Sequence, residues 1–89
     1  MKDCLYRRVK VNDIWPDVPG QSEYLGCFKG EKGVVVAMEE KFSDPNRIGV
    51  DFGKEFKFGG QNICLRLNGA IPSNTGMWFK PGELEFLGD

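Results

Sequence analysis

Glycine and proline interrupt this chain so often that a long helix has almost nowhere to form. Twelve glycines and five prolines fall among 89 residues, and the longest windows free of both are Met1–Trp15 and Val34–Asp44. Neither window repeats apolar residues at helical spacing, and neither carries both a helix start and a helix stop signal. Two-residue alternation fits far better. Val9 and Val11 share one face against Arg8 and Lys10, and Ile48, Val50 and Phe52 share another. Ile63, Leu65 and Leu67 repeat the pattern, with Cys64 and Arg66 opposite, while the run from Val34 to Met38 is apolar on both faces, as a central strand would be. The pattern predicts strands near 6–11, 33–38, 47–52, 62–67, 77–79 and 84–87.

A chain of this length holds one hydrophobic core, so residues 1–89 are expected to form a single domain. Five or six short strands in one small domain favour an all-β barrel, because closure removes the exposed edges through which sheets aggregate. The segment from Asn12 to Lys32 is long for a structureless connection. It predicts either a small hairpin or a functional loop lying over the barrel mouth.

Composition removes several chemistries. The chain has no histidine, hence neither the usual neutral-pH general base nor the commonest zinc ligand. Its three cysteines, Cys4, Cys27 and Cys64, are odd in number and form no Cys-x-x-Cys pair. That spacing predicts reduced thiols in a cytoplasmic protein rather than a secreted disulfide framework. No export-type apolar segment follows Met1, and no stretch is long enough for a membrane helix. Lysine and arginine number 12 against 13 for aspartate and glutamate, so there is no basic excess to drive non-specific binding to nucleic acid. The carboxylates Asp51, Glu55, Glu83 and Glu85 show no acid–base spacing. No enzyme, metal site or cofactor is expected.

The run Arg8-Val9-Lys10-Val11, the turn Lys29-Gly30-Glu31-Lys32-Gly33 entering Val34-Val35-Val36, and Arg47-Ile48-Gly49-Val50-Asp51-Phe52 together resemble KOW-type and other Src-homology-3-like barrels. The ending Thr75-Gly76-Met77-Trp78-Phe79-Lys80-Pro81-Gly82-Glu83-Leu84-Glu85 is similar to that of small barrel proteins of bacteria and their phages. The resemblance spans about two thirds of the chain and implies a five- to six-stranded Src-homology-3-like barrel with a long loop after the first strand. KOW domains that bind RNA are basic and this chain is not, so the resemblance bears on fold more than on partner.

Candidate binding residues follow from exposed-loop aromatics. Trp15, Tyr24, Phe28 and Trp78 are the candidate contacts for a protein partner. Exposed together, Trp15, Tyr24 and Trp78 would form an apolar groove suited to a proline-rich peptide or stacked bases, and the same rings also suit a lid that closes the barrel mouth. A second set, Arg47, Lys54, Phe56, Lys57 and Arg66, combines cations with rings in the manner that holds phosphate and stacks bases. The competing reading places Phe56 and Phe58 in the core as one face of a hairpin. The sequence therefore predicts a non-catalytic module acting through protein–protein contact, by type an inhibitor or accessory factor of phage character, with homodimerisation as a way to support so small a core. Two other readings stand beside it: a nucleic-acid-binding barrel, and a protein that sequesters a nucleotide or other small molecule.

Overall fold

The computed structural model describes residues 5–12, 23–41 and 44–88. Strand β1 (Arg8–Val11) leads to a 3-10 helix (Glu23–Phe28), then to the long hairpin of β2 (Lys32–Lys41) and β3 (Asp44–Asp51). A small hairpin follows, β4 (Lys57–Phe58) with β5 (Gln61–Asn62), then β6 (Gly76–Phe79), a single 3-10 turn (Pro81–Glu83) and β7 (Leu84–Phe86). Five strands form one antiparallel sheet in the order β6-β3-β2-β1-β7, and β4 and β5 pair separately. The molecule is thus mostly β, as the alternation predicts. The sheet is not closed: no ladder joins β6 to β7 among the described residues, so both remain edges where a full barrel was expected.

One face of the curved sheet carries the core. Val9, Val11, Val35, Ile48 and Val50 are fully buried there, joined by Met77, Phe79 and Leu84. The 3-10 helix supplies the keystone. Phe28 is also fully buried, and its ring centroid lies 4.6 Å from Phe56, 5.1 Å from Phe52 and 5.6 Å from Phe79. Such ring clusters add about 0.5–1.5 kcal/mol per pair beyond simple burial. The tight turn before β2 has Gly30 at φ 79°, where glycine carries no steric penalty, and its N–H donates to the Val11 carbonyl at 2.9 Å.

Four expectations need correction. The strand predicted over 62–67 is absent; only β5 and an isolated bridge between Leu65 and Gly76 occupy that stretch. The cause is local. The Asn62 side-chain oxygen accepts the Cys64 N–H at 2.9 Å, a turn that competes with ladder formation. The shared apolar face of that stretch is broken at two positions, with Cys64 buried in the core and Leu65 46% exposed, while Ile63 packs against the core and Leu67 is buried. The first strand begins at Arg8 rather than residue 6, because Tyr6 takes a left-handed φ of 66°. Phe56 and Phe58 do not share the core: Phe56 packs against it, but Phe58, next to the Gly59-Gly60 turn, is 46% exposed.

Candidate functional site

Residues paired across antiparallel strands point to the same face. On the face opposite the core, the register sets Ala37, Gly49 and Trp78 in a row across β2, β3 and β6, with Glu39 and Arg47 paired beside it. Two glycines make a hollow there. A Cβ on Gly49 would meet Leu67 Cδ1 at 3.1 Å and Trp78 Cζ3 at 3.1 Å; one on Gly76 would meet Leu67 Cδ1 at 2.6 Å and Cγ at 2.8 Å. Leu67 fills that hollow. It and Ile71 are buried but stand outside the main core, so the outer face has a small apolar patch of its own.

The loop that delivers Leu67 is unusual. Leu67, Asn68 and Gly69 take φ of 55°, 57° and 89°, three successive left-handed residues, with the Arg66 carbonyl accepting from the N–H groups of Gly69 and Ile71 at 3.2 and 3.3 Å. A left-handed conformation costs a non-glycine residue about 1–2 kcal/mol. Burying the Leu67 side chain contributes roughly 1.5–3 kcal/mol in return. The Asn68 side-chain amide adds a hydrogen bond to Glu39 Oε2 at 2.7 Å, tying the loop to β2. At the other end of the loop, the Thr75 hydroxyl donates to Asp51 Oδ1 at 2.7 Å.

Glu39 binds in two directions. Its other oxygen, Oε1, accepts from Arg47 Nη1 at 3.3 Å. The Arg47 guanidinium in turn lies over the Trp78 ring, 4.7 Å from its centroid. The arginine is 41% exposed and the indole half-buried, so the surface presents a cation and a ring that are already held in place. The free energies of such a stack and of such an ion pair are each of order 1 kcal/mol or less. Their larger effect is to fix rotamers that would otherwise have to be ordered on binding.

Of the residues singled out for a protein partner, Trp78 stands on this surface. Phe28 is core and out of reach of any ligand. Trp15 lies outside the described residues, and of Tyr24 the backbone alone, within the 3-10 helix, is described. The cationic set is split. Lys54 lies 3.6 Å from Glu31 Oε1 and over the half-buried Phe56 ring at 5.1 Å; Arg66 Nε donates to the Ile71 carbonyl at 3.5 Å; Lys57 is exposed on β4; and Arg47 belongs with Trp78. Sequence reading missed Glu39, Leu67 and Asn68. Gly49 and Gly76, isolated glycines within strands, were the available signal, since such positions mark close approach of another group.

Burial pushes the Cys64 thiol above its ordinary pKa, with Glu55 and Asp51 adding to the rise and a hydrogen bond to the backbone near Phe56 opposing it. The neutral thiol is a poor nucleophile. Among the described residues no cluster of three histidine, cysteine, aspartate or glutamate side chains is placed to hold a metal, and no helix is long and apolar enough to cross a membrane. No protein-family model matches the chain, nor does any curated protein or solved structure.

Proposed function

We propose that this chain is a non-catalytic binding module that docks a protein partner on the outer face of β2, β3 and β6, centred on Trp78 and Arg47. The observation that carries this reading is the Arg47 guanidinium stacked on the Trp78 indole and braced by Glu39. Tryptophan and arginine are the residue types that dominate binding energy at protein interfaces, above all where their conformation is set in advance. The fastened loop beside them, with Asn68 and Gly69 exposed, supplies a polar rim. A Src-homology-3-like scaffold is part of this proposal, supported by the five-stranded antiparallel sheet and the long connection after β1.

The test is capture of a defined protein on the immobilised chain, with Arg47→Glu and Lys57→Glu variants run beside it. Retention lost with Arg47→Glu and kept with Lys57→Glu supports the outer face. Retention indifferent to Arg47 and abolished by Lys57→Glu moves the function to the small hairpin and to an anionic ligand.

A further inference from the structure

The backbone of β6 is half used. The Phe52 N–H donates to the Thr75 carbonyl at 3.0 Å, which fixes the alternation: Met77 and Phe79 bond to β3, while Gly76 and Trp78 turn their N–H and C=O away from it. Gly76 finds Leu65 on that side, with bonds of 2.7 and 3.0 Å. A continued ladder would bring Ile63 opposite Trp78. Instead the Ile63 N–H donates to the Phe56 carbonyl at 2.9 Å, so the chain leaves β6 one step too soon. At the far end, the Lys80 N–H is taken by Glu83 Oε1 at 2.8 Å. Between these two closed ends, the outward N–H and C=O of Trp78 have no partner among the described residues.

We propose that a short extended segment of the protein partner adds to the edge of β6, exchanging two backbone hydrogen bonds with Trp78. The inference rests on the binding reading above and gives it a mode. A donor and an acceptor on one residue, facing the same way from a strand edge, are complemented by the N–H and C=O of a single residue in an extended chain running antiparallel to β6. The bridge at Gly76 and the capped Lys80 limit the segment to a few residues in register. Its residue opposite Trp78 places its side chain on the outer face next to the indole, where an apolar or β-branched side chain packs best. Proline is excluded at that position because its N–H is required.

The probe is a library of linear twelve-residue peptides selected on the full chain. Selected peptides are then N-methylated one position at a time, and the chain is prepared by semisynthesis with an ester in place of the Met77–Trp78 amide, which removes the Trp78 N–H and keeps both side chains. The proposal expects one N-methyl position to weaken binding at least tenfold, and the ester to weaken it about three- to tenfold, the value of one hydrogen bond. If Arg47→Glu abolishes binding while the methyl scan and the ester change nothing, strand addition is wrong and the docking face stands. If no peptide or protein binds at all, both readings fall. If the ester instead abolishes self-association seen in sedimentation, the edge serves a second copy and the proposal is overturned.

Discussion

At the scale of single residues, the glycine hollow is the most sensitive point of the outer face. Replacing Gly76 by alanine sets a methyl 2.6 Å from Leu67 Cδ1 and 3.0 Å from the Val50 carbonyl, so either the leucine or the strand must shift. A Gly76→Ala variant is expected to lose about 1–3 kcal/mol in urea denaturation, as overpacked sites do. Leu67→Ala alone loses burial, and the double variant loses less than the sum, because the shortened side chain vacates the space the methyl needs. Strict additivity would show that the two sites do not touch. Cys64 gives a second residue-scale expectation. Its folded pKa is raised by burial, so the neutral thiol contributes stability that is fully present below the unfolded value near 9.0 and is lost as pH rises above it toward the folded value. Cys64→Ala should flatten that alkaline decline, although it also leaves a small cavity; an unchanged slope would assign the decline to other groups.

At the scale of elements, strands whose side chains alternate between the core and the outer face were legible, and those set by turns were not. β1, β2, β3, β6 and β7 all overlap predicted segments, because Val9, Val11, Ile48, Val50 and Phe79 must be buried together, although β2 runs on to Lys41 and β3 starts at Asp44, beyond the predicted 33–38 and 47–52. The stretch 62–67 reads equally well as a strand and is not one, since a side-chain oxygen at Asn62 and a left-handed Leu67 redirect the backbone in ways that hydrophobic period does not encode. The left-handed turn is the element to probe. Asn68→Ala removes the bond to Glu39 and leaves a residue that tolerates φ 57° less well, whereas Asn68→Gly removes the bond alone. The alanine variant should therefore be the less stable of the two by about 1 kcal/mol. Equal stabilities, measured by chemical denaturation, would show that the turn carries no strain.

At the scale of the whole molecule, the candidate site lies on the sheet face turned away from the core and is assembled from four separated stretches: Glu39, Arg47, the loop at Leu67–Asn68, and Trp78. Trp78 and Arg47 were both singled out from sequence, but in different sets, because their adjacency exists only through the β3–β6 register. The same register allows structure and binding to be separated. Arg47→Glu sets a second carboxylate against Glu39, which costs stability and also removes the cation from the indole. Adding Glu39→Arg restores an ion pair of opposite polarity and returns part of the lost stability, of order 1 kcal/mol for a half-exposed pair, but not the hydrogen bond that the Glu39 carboxylate accepts from Asn68. The restored cation now sits on β2, one strand farther from Trp78, so partner binding should remain lost in the swapped protein. Recovery of both stability and binding would mean that the pair only holds the sheet together and that the partner reads some other surface.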